Sequence, residues 1–227
     1  FLPMASAEAR RVVDIFTTGQ SRKNSNWFNG TRSLLRVVRV FKFVRNGTEA
    51  AFDRYAASVL SKPGAVGKIM AWHGTRTENL LGISKSGLLM PENLPRGVHV
   101  SGKAFGRGVY HAPAWTASGH TTIGGAPTDG TNGALKSMNY TSSIGAAYGA
   151  GNRSSTAFMY LQDVALGTPE VHTSACWDKH RPDGYPTRAD FIFACGTRST
   201  GGFVHDELVT FSQDAQKFSY LIEIGRA

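Results

Sequence analysis

Cysteine is scarce in this chain, with Cys176 and Cys195 the only two among 227 residues. Two cysteines cannot build a disulfide framework, and neither stands in a C-x-x-C or His-rich cluster, so no metal site is expected. They read as ordinary small residues, buried or half-buried, in a reducing compartment. No run of about 18 apolar residues occurs, so no membrane-spanning helix is expected. The opening FLPMASAEARR lacks the long apolar stretch of a signal peptide. The expected setting is intracellular, nuclear or cytoplasmic, with no membrane partner. Two familiar nucleotide-binding loops are also missing. There is no G-x-x-x-x-G-K-[ST] segment, and the glycines Gly102, Gly106 and Gly108 precede a strand-like run instead of opening a helix. Acidic residues are few as well, 16 Asp and Glu against 25 Lys and Arg.

What is present suits one globular domain, since 41% hydrophobic residues can fill a single core at this length. A start at Phe1 instead of Met is what a piece of a longer protein would show. The basic excess is N-terminal: Arg10, Arg11, Arg22, Lys23, Arg32, Arg36, Arg39, Lys42 and Arg45 face only Glu8 and Asp14 in the first 45 residues. Two readings stand side by side, a solvated basic face and a surface for nucleic acid or an acidic protein.

Along the chain, residues 1–33 read as a short helix and a basic loop. LLRVVRVFKFV (34–44) is rich in β-branched and aromatic residues and stops at Asn46-Gly47, as a strand before a turn does. Thr48 should cap a helix carrying Phe52, Tyr55, Ala56, Val59 and Leu60 at helical spacing. KIMAWH (68–73) reads as a buried strand. Thr77 should cap a second helix with Leu80, Leu81 and Ile83 inward, stopping at Gly87. GVYHA (108–112) is a further strand. Residues 113–139, dominated by Gly, Ala, Ser and Thr without period, read as a long surface loop. Strands are expected in 156–167, 190–196, 207–211 and 217–224. The class is therefore α+β with a mostly antiparallel sheet, not an alternating βαβ order.

Four segments, WHGTRTENLLGISKSGL (72–88), FGRGVYHA (105–112), SSIGAAYGA (142–150) and HDELVTF (205–211), together resemble the poly(ADP-ribose) polymerase catalytic domain. The likeness runs from about Leu34 to the terminal YLIEI. It implies an N-terminal basic extension over 1–33 and a catalytic domain over 34–227. The implied fold is ADP-ribosyltransferase-like, a split β core with a few flanking helices and no Rossmann fold. The implied activity is transfer of ADP-ribose from NAD, the co-substrate, to an acceptor, with no metal. The acceptor is expected to be protein, including the chain itself, with nucleic acid open through the basic region, and the chain is expected to be a monomer.

By the same resemblance, His73, Tyr110 and Glu207 form the catalytic set. His73, Gly74, Thr75, Tyr110, Gly145, Ala147 and Tyr148 would hold NAD. His73 would bond the adenosine ribose, and Gly74 would offer its backbone to the nicotinamide amide. Tyr110 and Tyr148 would wall the ring, and Glu207 would orient the other ribose and polarise an acceptor hydroxyl. Taken singly, His73 and Tyr110 also fit ordinary core positions and Glu207 a solvated charge; the order of segments carries the assignment. Gly145 stands where the family has a serine, three residues before the stacking tyrosine. Ala104 stands where chain-elongating members carry a bulky apolar residue, so poly and mono transfer are both open. With only residues 1–33 ahead of the domain, no DNA-gated helical regulatory domain is expected in this chain. The remaining alternative is a non-catalytic module that binds ADP-ribose or another nucleotide.

Overall fold

Alternating β-branched and aromatic residues build most of the structure, an eight-stranded sheet flanked by short helices. The computed structural model describes residues 1–18, 35–45, 47–98, 104–138, 140–141, 156–176, 189–196, 203 and 205–226. Helix α1 (Ala7–Thr17) is followed by β1 (Leu35–Lys42), α2 (Thr48–Leu60), β2 (Gly67–Gly74) and α3 (Leu80–Ser86). Then come β3 (Val109–Pro113), α4 (Trp115–Ser118), the small hairpin of β4 (Thr122–Ile123) and β5 (Ala126–Pro127), and α5 (Ala134–Met138). The last part holds β6 (Thr156–Leu166), β7 (Pro169–His172), β8 (Phe191–Ala194), β9 (Glu207–Thr210) and β10 (Gln216–Arg226). The strand order is β1-β10-β6-β2-β3-β9-β8-β7, and among the described residues only β7 and β8 run parallel. The fold is α+β with a mostly antiparallel sheet, consistent with the ADP-ribosyltransferase fold of the catalytic domain it resembles.

The sheet is split in function if not in hydrogen bonding. On one face of its first half, α1 and α5 pack Val12, Ile15, Phe16, Leu135 and Met138 against Val37, Val40, Trp72, Leu161 and Ile222. Phe16 meets Trp72 edge to face at 6.0 Å between ring centres, a geometry favoured by the ring quadrupoles. The second half folds over the opposite face, so that Phe191, Phe193 and Leu208 meet Ile69, Ala71, Val164 and Leu166. Each such fully buried apolar side chain contributes about 1.5–3 kcal/mol. α2 closes the first face at its other end, with Phe52, Ala56 and Val59 against Ala165.

β1 shows how sequence pattern and register interact. Its buried residues Val37 and Val40 are three apart, not two, because the pairing with β10 shifts between Val37 and Arg39. The bulge absorbs Val38, keeps both valines on the α1 face and turns Arg36 and Arg39 out to solvent. Leu2 covers part of the strand's free edge by donating its N–H to the Val40 carbonyl at 2.8 Å.

Three local expectations change. Thr48 does not cap α2: Gly47 takes the cap position with φ +83°, and the Thr48 hydroxyl donates back to the Arg45 carbonyl at 2.7 Å. Thr77 opens a 3-10 turn (Thr77–Asn79) ahead of α3 instead of capping it. Leu81 is 85% exposed there, because a seven-residue helix presents too narrow a face to bury all three apolar residues. Residues 113–138, nearly all of the expected surface loop, are not one. Trp115, Ile123, Ala126, Ala134, Leu135 and Met138 are each at most 3% exposed, so a few well-spaced apolar residues fill both cores while the small residues between them make the turns. Asn132 secures this stretch. Its amide nitrogen lies 2.7–2.8 Å from the carbonyls of Ile15, Phe16 and Thr18 at the end of α1, and its carbonyl accepts the Ala134 N–H at the start of α5. Residues 7–17 of the expected extension thus contribute to the same core as the sheet and anchor α5 above it. The turn expected at Asn46 lies outside the described residues.

Candidate active site

β2, β3 and β9 are neighbours in the sheet, and this adjacency brings distant residues together. Trp72 pairs with Ala112 across β2 and β3, while Tyr110 pairs with Val209 across β3 and β9. A cavity of about 420 Å³ opens over these strand ends, lined by His73, Gly74, Thr75, Tyr110 and Glu207 together with Lys136, Ser137 and Tyr140. Ile83 and Ser86 of α3 and the segment Leu88–Pro95 supply another wall. The volume suits a drug-sized ligand or part of a dinucleotide.

Each polar group has a definable state. His73 Nδ1 lies 3.2 Å from the Tyr110 carbonyl, which can only accept, so Nδ1 carries the proton and Nε2 is left as an acceptor. Burial lowers the His73 pKa to about 4 against the opposing pull of that carbonyl, and the ring is neutral near pH 7. The Tyr110 hydroxyl accepts the Phe105 N–H at 3.0 Å and donates to the Gly106 carbonyl at 2.9 Å. It is thereby fixed to the turn before its own strand, and burial raises its pKa well above the phenol value. Also in the lining, His111 takes the Gln162 amide proton at Nδ1 (2.5 Å) and donates from Nε2 to Thr210 Oγ1 at 3.0 Å. Burial, reinforced by His73, lowers the His111 pKa to about 3.

Glu207 opens β9 and forms an ion pair with Lys136 of α5, the two side chains being 16% and 12% exposed. The ammonium also reaches the Asp206 carbonyl at 3.3 Å. Gly74 faces the Ser137 carbonyl so closely that a Cβ there would overlap its oxygen and lie 2.7 Å from its carbon. Only a residue without a side chain lets β2 and α5 approach this far.

The cavity therefore brings together His73, Gly74, Thr75, Tyr110 and Glu207. Gly145, Ala147 and Tyr148 lie outside the described residues. What the sequence reading missed is the Lys136-Ser137-Met138-Asn139-Tyr140 run. Ser137 and Tyr140 have the serine–tyrosine spacing that was sought at Gly145 and Tyr148, and with Lys136 they line the cavity. That spacing was the available signal, hidden because the run sits at the end of a segment read as loop. Among the described residues, no group of three or more His, Cys, Asp or Glu could hold a metal ion, and no helix is long and apolar enough to cross a membrane.

Residues 11–122 match the family described as the poly(ADP-ribose) polymerase catalytic domain, a stretch that includes His73 and Tyr110 and ends before Lys136 and Glu207. Among curated proteins the chain is similar to poly [ADP-ribose] polymerase 2-A of Oryza sativa subsp. japonica, with 32% identity over 96 residues, 42% of this chain and 13% of that protein. It is similar to poly [ADP-ribose] polymerase 2 of Zea mays, 32% identical over 83 residues, 36% of this chain and 11% of the relative. Poly [ADP-ribose] polymerase 2-B of Oryza sativa subsp. japonica is 34% identical over 83 residues, 36% and 12% of the two chains. The matched stretch thus spans about an eighth of these relatives.

Proposed function

The chain belongs to the poly(ADP-ribose) polymerase catalytic-domain family, and from that premise we propose that it is an NAD-dependent ADP-ribosyltransferase whose acceptor is a protein side chain. The observation that carries this reading is the meeting of His73, Tyr110 and a lysine-paired Glu207 on one cavity whose floor tolerates no side chain at Gly74.

The donor set fits NAD. His73 Nε2, an acceptor, suits a ribose hydroxyl. The small Gly74 leaves its backbone open to the planar amide of nicotinamide, and the Ser137 hydroxyl can add a bond to the same amide. Tyr110 and Tyr140 supply aromatic faces for the ring. In this reading Tyr140 takes the wall that the sequence assigned to Tyr148. The reaction breaks the bond between the nicotinamide nitrogen and ribose C1′, and the bonding pair discharges the pyridinium charge. The acceptor oxygen bonds C1′ and gives its proton to Glu207 or water. Because nicotinamide leaves neutral, no strong general acid is needed. Glu207 hydrogen-bonds the ribose and stabilises the positive charge that develops on it. Lys136 orients that carboxylate while occupying part of its hydrogen-bonding capacity.

The nucleic-acid-directed alternative draws less support, since Lys42 is paired with Glu8 and Arg39 with Glu223. Those pairs reduce the charge offered to a phosphate backbone. The non-catalytic alternative leaves the half-buried Lys136–Glu207 pair, which costs desolvation to form, without a use.

Incubation with labelled NAD tests the reading. Nicotinamide should be released and label should appear on protein. In the Glu207→Gln variant NAD binding should stay within a few-fold of wild type while turnover falls on the order of 10²-fold or more. Full activity in that variant refutes the role of Glu207, and binding without any nicotinamide release by the wild type refutes the transferase.

A further inference from the structure

Asp206, the residue before Glu207, is only 1% exposed and does not line the cavity. Its Oδ2 accepts the Trp115 Nε1–H and the Asp129 backbone N–H, both at 2.7 Å, and its Oδ1 accepts the Gly196 N–H at 2.8 Å. The three donors come from α4, from the loop after β5 and from the end of β8. In return, the Asp206 N–H donates to Asp129 Oδ2 at 3.2 Å, and the Asp206 carbonyl receives Lys136 Nζ. Asp129 is itself held by the Thr131 N–H and hydroxyl, both at 2.9 Å, and lies 3.5 Å from His205 Nδ1.

Every polar group of residue 206 is therefore engaged, and none of its partners is on β9. The arrangement is expensive. Burial in the first place, and the Asp129 carboxylate in the second, push the Asp206 pKa up to about 6. A neutral side chain would spare the protein two buried like charges, so simple space filling does not explain an aspartate here. What it achieves is geometric. A single carboxylate ties α4, the 119–133 segment and β8 to the peptide unit from which the Glu207 side chain springs, and its own carbonyl steadies the lysine that grips Glu207.

We propose that Asp206 is a positioning residue for Glu207, a clasp that sets the Glu207–Lys136 pair by anchoring the start of β9 to three other segments. The proposal rests on the transferase reading above. An asparagine at 206 keeps the shape and one acceptor oxygen but turns an N–H toward one of the three donors, so the clasp loosens without leaving a hole.

The test is steady-state nicotinamide release from NAD by wild type, Asp206→Asn and Trp115→Phe, with thermal melts of each. Asp206→Asn should lower kcat by about 10- to 100-fold with KM for NAD within about twofold, the split expected when only the catalytic carboxylate is displaced. Trp115→Phe, which removes one donor and keeps the carboxylate, should lower kcat in the same direction by about 2- to 5-fold. Wild-type kcat in Asp206→Asn, or a kcat loss no larger than its loss of folded protein, overturns the clasp and leaves the transferase standing. A wild type that releases no nicotinamide overturns the transferase reading, and the clasp's role with it.

Discussion

Gly74→Ala should damage this protein more than any other single methyl group added to the cavity. The new Cβ would overlap the Ser137 carbonyl oxygen and lie 2.7 Å from its carbon and 3.4 Å from its Cα. These are backbone atoms, so no rotamer change relieves the clash. β2 cannot retreat, being hydrogen-bonded between β6 and β3. α5 must therefore move away by roughly 1 Å, against the packing of Leu135 and Met138 and the Asn132 tether to α1. Overpacking of this kind costs about 1–3 kcal/mol, and the melting temperature of a chain of this size should fall by roughly 2–10 °C. The effect on catalysis should be larger. Lys136 and Ser137 ride on α5, and a displacement of about 1 Å in a catalytic constellation costs on the order of 10²-fold in rate. Nicotinamide release from labelled NAD, with binding of a carboxamide analogue measured by calorimetry, should show both weaker binding and slower turnover. A Gly74→Ala protein with wild-type KM and kcat would refute the claim that the approach of β2 to α5 shapes the site.

Two further outcomes are expected. Tyr110→Phe removes the hydroxyl that joins the Phe105 N–H to the Gly106 carbonyl, and urea denaturation should report a loss of about 1–2 kcal/mol while the ring's stacking face survives; an unchanged midpoint would contradict that hydroxyl's role. Stability should also depend on pH through the buried imidazoles. His111 and His73 titrate in the unfolded chain near 6.5 but in the fold only at about 3 and about 4, so their contribution is fully present above 6.5 and is lost as pH falls toward those values. The slope should be about 1.4 kcal/mol per pH unit for each imidazole. Below about pH 6 Asp206, whose pKa is raised, acts with the opposite sign and offsets one proton. Asp129, His205, Lys136 and Glu207 surround that carboxylate, and Asp129, with a lowered pKa, adds its own acid-side loss only at still lower pH. His111→Gln can accept from Gln162 and donate to Thr210 as the imidazole does. Its urea-denaturation stability should show one proton less of dependence between pH 7 and 5, and an unchanged slope would defeat the assignment.

The sequence by itself determined the elements whose patterns are local. LLRVVRVFKFV, KIMAWH and KFSYLIEI are strands because their β-branched and aromatic content admits little else, and α2 follows from its helical spacing of Phe52, Ala56 and Val59. The resemblance to the family was legible for the same reason, since short motifs in a set order survive as text. Tertiary structure alone decided what depends on spatial neighbours. Residues 113–139 carry no period because their few large side chains serve two separate cores, so composition reads as loop where packing makes structure. Lys136 is an unremarkable cation in the sequence and becomes the partner of Glu207 only because Asn132 holds α5 against the end of α1. Asp206 carries no signal of its own in the sequence. It becomes a buried clasp because Trp115, Asp129 and Gly196, up to 91 residues away, point their N–H groups at one carboxylate. Hydrogen-bond propensity is written in each residue, but the partner that satisfies it is set by strand order.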